Sequence, residues 1–279
     1  MIGPGILTLY SWRSSMGVLA MMAFHQYRKQ LGDWILLLQW VLEEMDKEPD
    51  LAHLDRFGIR NQEYISLGCI EVPILRGRSP IKVYLDFMMN FRNTFREYLG
   101  VVITGIQVGM GPAGELRYPS RPSEKLSWAR RHLRQAGEFQ CYDKYMIASL
   151  NAHVQNVGKP EKGNVDPLGA DCRTHDPGFF RSDDGTWNTP YGQFFIKWYS
   201  GMLLQHGERL SMAAATIFLG TGVKISVKVA AIHWHYTTRS HLFKLTAGCN
   251  NTLINHGYLL IACMLGMYNM MLCCKCFDL

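Results

Sequence analysis

The sequence predicts an α/β fold organised on a parallel sheet or a (β/α) barrel. Three observations carry this. Met16–Phe24 and Val101–Gly109 are apolar runs of strand length, the pattern of strands buried on both faces. A long amphipathic helix pattern, Ser79–Gly100, lies between them. The order strand, loop, helix, strand then recurs along the chain, which is the rhythm of βαβ units.

The elements follow in order. His25 and Gln26 terminate the first strand. Trp34–Glu44 is apolar and then acidic, a helix that Pro49 closes. Leu54–Gly68 reads as irregular loop and short strand. In Ser79–Gly100, Ser79 caps, Pro80 suits the first turn and Gly100 the end. Ile81, Tyr84, Leu85, Met88, Phe91, Phe95 and Leu99 form its core stripe. The second strand, Val101–Gly109, leads into Gly109–Ser120 (GMGPAGELRYPS), where glycines and Pro112 break the pattern and one carboxylate, Glu115, follows. Barrel enzymes place catalytic groups on such loops; a solvated loop residue or helix-cap partner is the plainer reading.

Phe139–Val157 reads as helix and Lys159–Thr189 as a long Gly-, Pro- and Asp-rich loop, with Asp183 and Asp184 as turn formers. Tyr191–Leu219 is helical, with an interruption expected at Gly207. Lys224–Tyr236 is a third strand. Gly257–Cys274 carries no charge and approaches membrane-spanning length. It is read as a buried helix (Tyr258–Met267) and a buried strand (Met270–Cys276), because Asn269 in mid-span is costly in lipid.

The 279 residues suffice for one α/β domain, and 48% hydrophobic with 19% charged residues is ordinary for a globular protein. The net charge of +6 is mild, and the basic patch Arg121–Arg134 reads as a solvated face rather than a nucleic-acid site. Eight scattered cysteines fit a reducing compartment. Cys273, Cys274 and Cys276 lack zinc-ligand spacing and read as buried thiols. Met1–Leu9 lacks the charged lead of a targeting segment.

The words GPAGELRYPS, EFQCYDKYM (Glu138–Met146), KVAAIHWHYTTRSH (Lys228–His241) and LTAG (Leu245–Gly248) closely resemble the plant β-amylases, in the family's own order. The resemblance runs from about Met21 to the end. It implies a single domain over 1–279 that forms part of a TIM-type (β/α)8 barrel, roughly the family's third to sixth strands. The first two and last two strands have no counterpart in the sequence. A sheet cut from a barrel has bare edges, so the chain alone is expected to be marginal and sticky.

The resemblance also implies inverting exo-hydrolysis of α-1,4-glucans such as starch, with release of β-maltose. Inverting enzymes use two carboxyls, one as general acid and one as general base. Glu115 matches the acid, and it must stay protonated near neutral pH to serve. The matching base falls beyond Leu279; Asp278 aligns with a different word. His25 and Asp33 match substrate-binding residues of the family word F-H-Q-C-G-G-N-V-G-D, although Tyr27, Arg28, Lys29 and Gln30 replace C-G-G-N and put lid closure in doubt.

Lys228 and His233 match residues that hold sugar hydroxyls, and strict alternation puts them on opposite faces. Lys275 replaces an inner-loop Thr. Trp234, Tyr236, Tyr118 and Trp187 are candidate sugar-stacking rings, each with core packing as the plainer reading. His233 and His235 lack a third ligand, so no metal or cofactor is called for. Plastid residence follows from likeness to leaf β-amylases, with cytoplasm as the alternative. A non-catalytic glucan-binding or regulatory role is the second functional reading, and a degenerating gene product the third.

Overall fold

A computed structural model describes residues 7–10, 18–22, 37–119, 138–157, 186–229, 242–252 and 255–274. His25, Asp33, His233, the basic patch, Asp183–Asp184, Trp234–Tyr236, Lys275 and Asp278 lie outside the described residues. So does most of the 159–189 loop.

The centre is a mixed sheet built on four strands that pair in parallel: β2 (Val18–Met22), β5 (Ile103–Val108), β7 (Lys224–Val229) and β8 (Met271–Cys274). The α/β expectation is met. Two strands were not foreseen. β1 (Leu7–Tyr10) pairs antiparallel with β2, and the two-residue β6 (Glu115–Leu116) extends the β5 side of β7. The sequence predicts irregular loop and a short strand over Leu54–Gly68, and β4 (Arg60–Ile65) is a strand in that stretch. It is half of a separate antiparallel hairpin, formed with β3 (Ala52–Leu54), whose pairing the sequence did not predict.

The helices are α1 (Gln39–Lys47), α2 (Pro80–Thr94), α3 (Lys144–Val157), α4 (Pro190–Ile217), the short α5 (Leu242–Thr246) and α6 (Gly257–Met267). Ser79 caps α2 by accepting from the Lys82 amide, with Pro80 in the first turn. That helix ends at Thr94, six residues before Gly100. Gly100, at φ 80°, serves instead as the turn into β5, its amide bonding to the Ile103 carbonyl.

Other boundaries move for equally local reasons. α3 starts at Lys144 because Asp143 accepts from the Tyr145 and Met146 amides, while the chain at Gln140 and Tyr142 is bonded to other segments. α4 runs unbroken through Gly207. A Cβ at that position would lie 2.9 Å from both Leu116 and Met264 side chains, so this glycine permits close packing and not a bend.

One core joins the sheet to α2 and α4, with Ile106, Val108, Leu116, Val227 and Val229 fully buried. Among the described residues, the expectation of a buried final helix and strand holds for Ile261, Met264, Leu265 and Met270. Leu259, Leu260, Cys263 and Met267 of α6 are exposed, as are Met271 and Leu272 of β8, and Cys273 is half-buried. No described helix is long and apolar enough to cross a membrane.

Candidate active site

The loop after β5 is fixed from below before it turns. The Tyr84 hydroxyl donates to the Gly109 carbonyl, and His206 of α4 places Nε2 2.7 Å from the Met110 carbonyl. A carbonyl only accepts, so Nε2 carries the proton. Nδ1 has no partner among the described residues, and burial pushes this imidazole down to about 4. The ring is neutral at ordinary pH.

Gly111 is extended, so its backbone angles suit any residue, but space does not. A Cβ there would sit 2.5 Å from the Glu115 carbonyl oxygen and 2.8 Å from that of Arg117. Ala113 (φ 55°) and Gly114 (φ 74°) then take the left-handed conformation, and the Gly114 amide closes on the Gly111 carbonyl at 2.9 Å. The turn delivers Glu115 into register beside Lys228, and Leu116 beside Val229. Val227 and Val229 face the core, so alternation directs Lys228 to the other face, where Glu115 lies.

Glu115 is 5% exposed and held by two cations. Arg117 Nε donates to Oε2 at 2.9 Å, and Lys228 Nζ lies 3.1 Å from Oε1. Lys228 also reaches the Ala113 carbonyl at 3.5 Å. Burial pushes the Glu115 carboxyl up, but Arg117 and Lys228 together outweigh it and hold it below the ordinary carboxylate value. A general acid needs a raised value, so the free chain departs from that expectation. In the free chain the group is ionised.

Behind this pair, three of the long words meet. Tyr118 is fully buried; its amide donates to the Ala247 carbonyl, and its hydroxyl donates to the Tyr199 carbonyl at 2.9 Å. Its ring stacks on Tyr199 with centroids 3.9 Å apart, and His53 meets its edge. The Tyr199 hydroxyl in turn accepts from the Gln140 amide and donates to the Thr246 carbonyl, both at 3.1 Å. His53 Nδ1 lies 3.2 Å from the Gln140 carbonyl. GELRYPS, EFQCYDKYM and LTAG are thus bound to one another around a single pair of tyrosines.

Tyr118 is therefore not free to stack on a sugar, and Trp187, 4% exposed, is also packed. Of the five candidate site residues, Glu115 and Lys228 are brought together. Arg117 stands two residues after Glu115 in the word GPAGELRYPS, and sequence reasoning missed His206 and Tyr199. A buried polar residue in an apolar helix stripe was the only available signal for the last two. Among the described residues no group of three or more His, Cys, Asp or Glu is placed to hold a metal.

Residues 12–279 match glycosyl hydrolase family 14. The chain belongs to that family. This family 14 chain is 51% identical over 267 residues to "Beta-amylase 1, chloroplastic" of Arabidopsis thaliana, covering 94% of this chain and 46% of the relative. It is 52% identical to "Beta-amylase 2, chloroplastic" of Oryza sativa subsp. japonica, covering 96% and 48%. Against the Glycine max β-amylase it is 41% identical, with 93% and 52% covered. The chain thus spans about half the length of the curated relatives it matches. Its fold is similar to the crystal structure of the catalytic domain of β-amylase from Paenibacillus polymyxa, with a TM-score of 0.70 at 24% identity, over 92% of this chain and 59% of that one.

Proposed function

We propose that this chain carries the acid-bearing part of a starch-cleaving site, acting on α-1,4-glucosidic linkages by inverting exo-hydrolysis and releasing β-maltose. The observation that carries the proposal is the buried Glu115 at the C-terminal side of a parallel strand, paired with Lys228 on the next. In this reading the four parallel strands are the family barrel's third to sixth. Glu115 is the general acid, and Lys228, His25, Asp33 and His233 bind sugar hydroxyls. The relatives' names support a plastid setting.

Glu115 must gain a proton before it can protonate a glycosidic oxygen. A glucan hydroxyl that takes over the Lys228 contact removes one of the two cations holding the carboxyl low, and desolvation by the sugar then acts in the raising direction. Removal of the acid in Glu115→Gln is expected to lower maltose release by about 10²–10⁴-fold or more.

The second reading is a glucan-binding protein without turnover. The ionised state of Glu115, enclosed by Arg117 and Lys228, favours it, since a carboxylate accepts hydrogen bonds from sugar hydroxyls but donates no proton. Maltose release from soluble starch, abolished by Glu115→Gln, supports the enzyme. Retention on starch granules without maltose release supports the binder. An absence of both overturns the two readings together.

A further inference from the structure

Two buried side chains that the proposed chemistry does not use hold consecutive carbonyls at the root of the acid's turn. Tyr84 of α2, 2% exposed, donates its hydroxyl to the Gly109 carbonyl. His206 of α4, fully buried, donates Nε2–H to the Met110 carbonyl at 2.7 Å. The His206 ring is itself seated edge-on against Tyr64, with centroids 5.7 Å apart and planes at 74°. One residue further along α4, Gly207 leaves room for Leu116, the residue after Glu115. Two helices thus grip the chain just before the turn, and one of them meets it again just after the acid.

These contacts fix where the turn stands. Its far end is held by the pairing of β6 with β7 and by the buried Tyr118. Its near end is held by Tyr84 and His206. Without those two donors the turn pivots about its far end. Arg117 sits at that pivot, beside Tyr118, and keeps its bond to Glu115 Oε2. Lys228 spans the turn instead, from the Ala113 carbonyl at 3.5 Å to Glu115 Oε1 at 3.1 Å, so it is the partner that feels a pivot. A group that handles a proton has to be held within about 0.5 Å of its working geometry, which is the task of such supporting hydrogen bonds.

We infer that Tyr84 and His206 are positioning residues for the Glu115–Lys228 pair, their hydrogen bonds to adjacent carbonyls setting the distance between carboxylate and ammonium. The kinetic consequence rests on the function proposed above; the geometry of the pair does not.

Three variants test this on the full chain. Tyr84→Phe keeps the ring and deletes the hydroxyl, His206→Leu deletes the Nε2 donor, and His206→Gln keeps a donor for the Met110 carbonyl. The pH midpoint of the Glu115 carboxyl is read by NMR, and kcat and KM are read from maltose release on soluble starch. The midpoint is expected to rise in Tyr84→Phe and in His206→Leu, because a carboxylate farther from Lys228 loses part of the charge that holds it low. It returns in His206→Gln. In a Lys228→Met background neither deletion moves it further, since both act through that one contact. In the two deletions kcat falls about tenfold to a hundredfold with KM little changed, and His206→Gln restores it.

Unmoved midpoints, with the unfolding transition alone lowered, make both side chains plain core supports and overturn the inference. So does a shift that persists undiminished in the Lys228→Met background. Should His206→Leu not fold, Tyr84→Phe decides by the same two criteria, because its ring still fills its place in the core. A chain that releases no maltose but shows these midpoint shifts overturns the enzyme reading and upholds the inference; maltose release with unmoved midpoints does the reverse.

Discussion

Glu115 and Lys228 are 113 residues apart, yet they are register partners on adjacent parallel strands, with Oε1 and Nζ 3.1 Å from each other. The ammonium helps to hold the buried carboxyl in its charged form. Lys228 therefore acts directly on the proton of Glu115. Replacing it by Met, which keeps the stem and drops the charge, is expected to raise the pH at which Glu115 titrates. Carboxyl NMR across pH 2–7 reads this directly. An unchanged midpoint means that Arg117 alone sets the value.

Arg117 is the more buried partner, its side chain 6% exposed against 22% for Lys228. Arg117→Met strips the nearest counter-charge from a buried carboxylate and leaves the Tyr118 carbonyl without its 3.0 Å donor. The expected loss is about 3–5 kcal/mol of stability, measured by urea unfolding. The double variant Arg117→Met with Glu115→Gln is expected to recover part of it, because the buried carboxylate is gone and Lys228, the more exposed cation, keeps its access to water.

How far this pair was legible in sequence depends on which half of it is considered. A strand ending in a glycine loop that bears one acid is a local pattern, and the chain folds as that pattern says. The Ser79–Pro80 start of α2 and the buried strand runs were equally local. Lys228 was matched by resemblance, but nothing in strand alternation says which neighbour a residue will face. Register between β6 and β7 is a tertiary property. Helix ends failed for a related reason: Asp143 caps α3 only because Gln140 and Tyr142 are already engaged elsewhere, and Gly100 belongs to the next turn.

The Gly111 position gives a steric prediction. Gly111→Ala drives a methyl onto two backbone carbonyl oxygens that have no freedom to rotate away. A loss of about 1–3 kcal/mol is expected, with the sharpest amide exchange changes at Glu115 and Arg117. A neutral result means that the loop can open locally.

Acid lability follows from two buried histidines. Burial pushes His53 and His206 each down to about 4, whereas an unfolded histidine titrates near 6.5. The unfolded chain binds more protons between those limits, so each contributes about 3 kcal/mol that is present above pH 6.5 and lost as pH falls toward 4. Asp143 runs the other way. Burial raises it to about 6, so its folded form gains protons first and returns a similar amount on acidification. A net loss of about 3 kcal/mol between pH 7 and pH 4 is expected from unfolding midpoints. His206→Gln, which keeps a donor for the Met110 carbonyl, should nearly flatten the profile, and Asp143→Asn should steepen it.

The exposed apolar face of α6 together with β8 makes the 279-residue chain prone to self-association. Light scattering is expected to show concentration-dependent oligomers. Met271→Lys with Leu272→Glu should reduce them; if scattering is unchanged, the contact lies elsewhere.

The Tyr199 phenol sets an order of events. It ties together backbone 59 residues before it and 47 residues after it, and its own carbonyl anchors Tyr118 from 81 residues away. On the ribosome, the knot cannot be drawn until translation has passed residue 247, long after Glu115 has emerged. Until then the carboxylate's strand has no fixed seat, and the nascent polypeptide must wait for a slow non-local closure that chaperones are suited to shelter.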